Sequence, residues 1–171
     1  MALHAESAEP LDAERLAERL GVLCRQRRIL VSAAESCTGG GVSSAITAIA
    51  GSSEYFETGY VTYSNGAKQR LLGVDESLLT THGAVSRPVV EAMVAGACAD
   101  SGADLTVAIS GVAGPAGGTP EKPVGTVWLA WGNQWQCSAE CLHLTGDREA
   151  VRQAAVKEAL AGLVRWLSAD D

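Results

Sequence analysis

The chain has 171 residues, enough for one domain with a closed core. Apolar residues make up 47% and charged residues 19%, and the net charge of −7 argues against a chain that works by neutralising nucleic-acid phosphates. No apolar run is long enough to span a bilayer and no basic-then-apolar leader opens the sequence, so a cytoplasmic protein with no membrane or nucleic-acid partner is expected.

Residues 1–10 are small and polar and read as a flexible tail; residues 11–171 read as one domain. Leu16, Leu20 and Leu23 recur at helical spacing as far as about residue 28. The apolar run 29–34 has the pattern of a buried strand, and Val42, Ile46 and Ile49 give a second helical stripe that Gly51 ends. Residues 55–63, rich in β-branched and aromatic side chains, predict a strand. Ser64 or Asn65 is placed to cap a short helix carrying Lys68 and stopped by Gly73, and Thr81-His82-Gly83 reads as loop. Ser86, with Pro88 in the first turn, starts a longer helix to about residue 100.

Residues 105–109 predict a strand, followed by a glycine- and proline-rich loop over 111–123. Residues 124–131 and 135–144 resemble a hairpin around Gly132-Asn133, and Asp147 caps a final helix through Val156, Leu160, Leu163 and Leu167. Strands interleaved with helices predict an α/β fold, a single three-layer α/β/α domain, and the hairpin makes its sheet mixed but mostly parallel.

The five cysteines are odd in number and scattered, as expected of reduced thiols. Cys137, Cys141 and His143 fall on one face of a predicted strand, but no fourth ligand accompanies them. Buried apolar cysteines are expected there, and no metal.

Chemistry concentrates in three segments that each follow a predicted strand, where open α/β sheets bind their ligands. In Ala34-Glu35-Ser36-Cys37-Thr38-Gly39-Gly40-Gly41 a serine sits at a glycine-rich helix start. Free N–H groups and the helix dipole would favour negative charge there; alternatively Ser36 or Thr38 is only a helix cap. The second segment, Tyr63-Ser64-Asn65-Gly66-Ala67-Lys68, brings one lysine, either a solvated helix residue or a base able to activate a serine if its pKa is lowered. The third runs from Ser110 through Gly111, Gly114, Gly117 and Gly118 to Pro123. It matches neither a P-loop nor a dinucleotide fingerprint, yet its glycines permit close backbone approach to a ligand. No Ser-His-Asp arrangement with a nucleophile elbow is present.

These segments, with His82-Gly83-Ala84-Val85-Ser86, Gly117–Val127, Gly146-Asp147-Arg148 and Val151-Arg152, occur in the order and spacing of the CinA C-terminal domain family, which the chain resembles over about residues 12–167. The resemblance implies a nicotinamide-nucleotide amidohydrolase that converts nicotinamide mononucleotide and water to nicotinate mononucleotide and ammonia. It further implies a homodimer, a small nucleotide substrate and no metal or organic cofactor. On this reading Ser36, Lys68 and Tyr63 are the catalytic residues. Thr38, Gly39, Ser110, Gly111, Gly114, Gly117, Gly118 and Arg148 bind substrate, with Arg152 a further candidate for the phosphate. Ala116 departs from the Asp or Gly that relatives often carry. A rival reading from another class is a non-catalytic module that binds a nucleotide or a protein in competence or DNA-damage responses.

Overall fold

Residues Val31–Glu35 are buried at every position because they form the inner strand of a sheet covered on both faces. In the computed structural model, which describes residues 11–169, this strand (β1) lies between β2 (Phe56–Val61) and β3 (Leu105–Gly111), both parallel to it. Next come β4 (Thr126–Gly132) and β5 (Cys137–His143), each antiparallel to its neighbour, giving the order β2-β1-β3-β4-β5. Two of the four pairings are parallel, and four of the five strands point the same way, so the hairpin does make the sheet mixed. The expected tail, residues 1–10, lies outside the described residues.

Three helices cover one face: α1 (Ala13–Arg27), α2 (Gly41–Thr47) and α6 (Arg148–Ser168). The other face carries α3 (Asn65–Leu72), α4 (Glu76–His82) and α5 (Arg87–Ser101), which completes three layers. Side-chain alternation along the strands separates the two cores. Val31, Val107 and Leu129 meet Leu20 of α1 and Leu160 and Leu163 of α6. On the opposite face Ala34, Ala108 and Ala130 present only methyl groups, so the Val90, Met93 and Val94 side of α5 lies close against the sheet. Each fully buried large side chain in these layers contributes about 1.5–3 kcal/mol.

The helix punctuation read from the sequence recurs in the structure. Asp12, Ser64 and Asp147 accept from the backbone N–H groups of Arg15, Ala67 and Ala150, and Gly73 ends α3 in the left-handed conformation. Three readings need correction. Residues Glu76–His82 form a helix, so His82 is its last residue rather than part of a loop; Asp75 caps it through the Ser77 N–H. The helix containing Val42 stops at Thr47, short of Ile49, where the Thr47 hydroxyl donates to the carbonyls of Ser43 and Ser44 and competes with the helical pattern. Cys137 is exposed and Cys141 half-buried on the sheet's edge strand, not core residues, and among the described residues they form no metal-holding group with His143.

The chain leaves β1 into α2 on one face and leaves β2 into α3 on the other. These loops therefore splay apart at the carboxyl ends of the parallel strands, and a crevice opens between them.

Candidate active site

Alternation sends adjacent residues of the first segment to opposite sides of the sheet: Glu35 bonds to α2, and Ser36 to a lysine of α3. The Ser64 hydroxyl starts α3, and one turn later Lys68 points back beneath the loop. Lys68 is 1% exposed. Its Nζ lies 3.0 Å from Ser36 Oγ, 2.8 Å from the Thr62 carbonyl and 3.1 Å from the Tyr63 carbonyl. Burial, which the neighbouring Cys37 sulfur opposes only in part, lowers the lysine pKa to about 8. At pH 7 about a tenth of the molecules would carry it neutral. A neutral amine has two N–H bonds and one lone pair; the two carbonyls match the first and Ser36 the second.

The three strand-following segments converge. A cavity of about 280 Å³ is lined by Ser36, Tyr63, Lys68, Ser110, Gly114 and Arg148, with Gly111, Gly117 and Ala116 also on its wall. Tyr63 reaches Lys68 through its backbone carbonyl, whereas its ring is 60% exposed and its hydroxyl accepts from Arg148 at 3.3 Å. Arg148 also donates to the Gly114 carbonyl at 2.8 Å, tying the long loop to the start of α6. From its far end Lys122 donates to the His82 carbonyl at 2.5 Å. Cys37 shares the wall, but burial pushes its thiol up to about 11, so it is protonated at neutral pH.

Three residues expected to bind substrate, Thr38, Gly39 and Gly118, are not among those that line the cavity. The Thr38 hydroxyl donates to Glu35 at 2.7 Å, and Gly39 and Gly40, at φ +58° and +100°, supply the left-handed turn that a side chain would strain. Arg152 is also absent from the wall; it donates to the carbonyls of Cys37 and Thr38.

Sequence reasoning missed Glu35. Its carboxylate is wholly buried and accepts four hydrogen bonds of 2.7–3.0 Å, from Thr38 Oγ1, the Val42 and Ser43 N–H groups and Ser43 Oγ. Glu35 thus caps α2, whose N-cap position is Gly40, so neither Ser36 nor Thr38 is the cap. These N–H groups of the helix start are not free for a ligand. The free donors lie earlier: among the described residues the N–H groups of Cys37 and Thr38 reach no oxygen acceptor, and the Cys37 N–H meets only its own sulfur.

The model of the CinA C-terminal domain family matches residues 13–167. The chain belongs to this family. It is 59% identical over 150 residues to the nicotinamide-nucleotide amidohydrolase PncC of Pseudomonas putida, covering 88% of this chain and 94% of that one. To the nicotinamide-nucleotide amidohydrolase PncC of Escherichia coli K12 it is 51% identical over 151 residues, with 86% and 90% covered. Among solved structures, the competence/damage inducible protein CihA of Agrobacterium tumefaciens superposes with a TM-score of 0.88 at 42% identity, over 98% of this chain and 99% of that one.

Proposed function

We propose that this chain is a nicotinamide-nucleotide amidohydrolase working through Ser36 and Lys68. The observation that carries the mechanism is a water-excluded lysine with a lowered pKa, 3.0 Å from a serine on the wall of a cavity. The two relatives above, similar over most of their length, bear names that state the reaction.

Neutral Lys68 takes the proton of Ser36 Oγ as that oxygen bonds to the carboxamide carbon. The carbonyl electron pair moves onto oxygen, where the N–H groups of Cys37 and Thr38 receive the charge. Lys68, now an ammonium, returns the proton to the departing nitrogen, and ammonia leaves as the tetrahedral carbon collapses to an ester on Ser36. Water then attacks that ester with Lys68 again as base, releasing nicotinate mononucleotide and restoring the serine. Every proton is carried by one lysine. Arg148 and the backbone of Gly111–Gly117 take the 5′-phosphate, Arg148 as the permanent cation on the cavity wall.

A small nucleotide as partner also fits the net charge of −7, which disfavours a nucleic acid. Among the described residues no helix is long and apolar enough to cross a membrane. A cytoplasmic homodimer completes the reading; sedimentation of the purified chain tests the dimer. For the activity, the full chain is supplied with nicotinamide mononucleotide and ammonia is followed by a coupled assay. Steady release with equimolar nicotinate mononucleotide is expected. Saturable nucleotide binding without ammonia would replace the enzyme with a binding module.

A further inference from the structure

Arg152 performs none of the steps above, yet its guanidinium lies against the back of the turn that carries Ser36. From the second turn of α6 it sends Nε to the Cys37 carbonyl at 3.0 Å and Nη2 to the Thr38 carbonyl at 3.3 Å. It borders a shallow hollow with Glu149, Gln153 and Val156, on the other side of the turn from Lys68.

Two of the three consecutive glycines make room for this contact. A β-carbon on Gly39 would stand 3.3 Å from Arg152 Nη2, and one on Gly41 would stand 2.8 Å from Val156 Cγ2, a distance that forces movement. Their small size lets α6 seat directly behind the turn.

The geometry has a consequence for the free donors. A trans peptide carries its C=O and N–H on opposite sides, so fixing the Cys37 carbonyl toward Arg152 fixes the Thr38 N–H away from it. The remaining freedom of the turn is removed from other directions. The Gly39 N–H donates to the Ser36 carbonyl and the Gly41 N–H to the Thr38 carbonyl, while Glu35 holds the Thr38 hydroxyl and the start of α2. A permanent cation at the carbonyl end of a peptide also polarises it, which strengthens its N–H as a donor to developing negative charge. The guanidinium field reaches this turn: it opposes the rise that burial imposes on the Cys37 thiol.

We infer that Arg152 is a positioning residue for the oxyanion site, fixing and polarising the Cys37–Thr38 peptide from behind and so acting on the transition state without touching substrate. The inference rests on the amidohydrolase reading above.

The test compares wild type, Arg152→Met and Arg152→Lys as full chains. It measures kcat and KM for nicotinamide mononucleotide separately, the Kd of nicotinate mononucleotide by calorimetry, and Tm. Arg152→Met is expected to lower kcat about 10²-fold, the scale of a lost oxyanion donor, with KM and product Kd within about threefold. Arg152→Lys, which keeps the charge but not the planar fork, is expected to recover part of that loss. Wild-type kcat in a folded Arg152→Met enzyme overturns the inference, and where Arg152→Met does not fold, wild-type kcat in Arg152→Lys overturns it. A rise in KM and product Kd at unchanged kcat also overturns it and assigns Arg152 to the substrate phosphate. Absence of turnover in the wild type strikes the amidohydrolase reading instead, so the two failures are read from different samples.

Discussion

Two hollows of this molecule rank oppositely in size and in chemistry. The larger, about 650 Å³, lies over Trp131, Glu140, Arg165 and Trp166. Its charged groups stay wet: Arg165 stands 3.8 Å from Glu140 with side chains 58% and 52% exposed, and its guanidinium rests 5.6 Å from the Trp131 ring. Such a pair contributes about 0–1 kcal/mol. The smaller, about 280 Å³, has Ser36 at 8% exposure and Lys68 at 1% on its wall. Room for a ligand is therefore a poor guide here. What separates the two is that one holds polar groups dry, at a cost in stability, with their reactive atoms against each other.

Ser36→Ala gives the largest expected break in that contrast. Removing the nucleophile should reduce kcat by roughly 10⁴-fold or more, with Tm and nucleotide affinity near wild type. Retained turnover would move the chemistry away from the small hollow.

Lys68→Met comes next, with a loss of about 10³-fold expected in kcat/KM. Wild-type kcat/KM should rise with pH and level off above about 8, where Lys68 is neutral, and this limb should vanish in the variant. Stability carries a second signature. The lysine pKa is about 8 folded against 10.5 for the free side chain, so between these values the unfolded chain binds more protons. Wild-type stability should thus gain with rising pH across that window, and below it the buried ammonium costs about 3 kcal/mol. Methionine removes that cost but takes the lysine donor from the Thr62 and Tyr63 carbonyls, leaving Tyr63 only the Ser36 hydroxyl at 3.4 Å, a loss of about 1–3 kcal/mol for each bond. The opposed terms are of similar size, so Tm at pH 7 should move little, while the gain above pH 8 should disappear. A melting series across pH checks both.

Arg148→Ala should act on binding rather than chemistry. KM for the mononucleotide should rise about 10–100-fold, and the preference for mononucleotide over riboside should shrink, since a charge-assisted contact to phosphate is lost. The smallest effect belongs to the large hollow: Arg165→Ala should leave kcat/KM within about twofold and stability within about 1 kcal/mol. A large loss of activity there would reverse the comparison between the two hollows.

Much of the site is legible in the sequence because its parts are attached to strong punctuation. Ser64 and Gly73 bracket the helix that carries Lys68, and each reactive segment follows a strand, so topology alone draws them toward one crevice. The α4 helix was also written in the chain, in Asp75-Glu76 at its start and Gly83 at its end, though its seven residues give too few turns for a clear stripe. Glu35 was not legible. Its two backbone donors lie seven and eight residues ahead, across a turn that brings them back, and no spacing rule pairs a strand-end carboxylate with such partners. The same holds for the carbonyls of Thr62 and Tyr63 around Lys68, since main-chain groups carry no mark in a sequence. The Thr38 hydroxyl and Gly39 show the converse: within a motif, a side chain or a missing one also sets the shape of a turn, the hydroxyl through Glu35 and the glycine through its positive φ.

The central claim is that Ser36, activated by Lys68, carries the acyl group. Its most direct test is acid quenching of the full chain during turnover of nicotinamide mononucleotide, followed by mass analysis of its peptides. The peptide containing Ser36 should gain the acyl group of nicotinate mononucleotide, and Ser36→Ala should show neither this adduct nor ammonia. An adduct on Cys37 or any other residue, or steady ammonia release by Ser36→Ala, would contradict it.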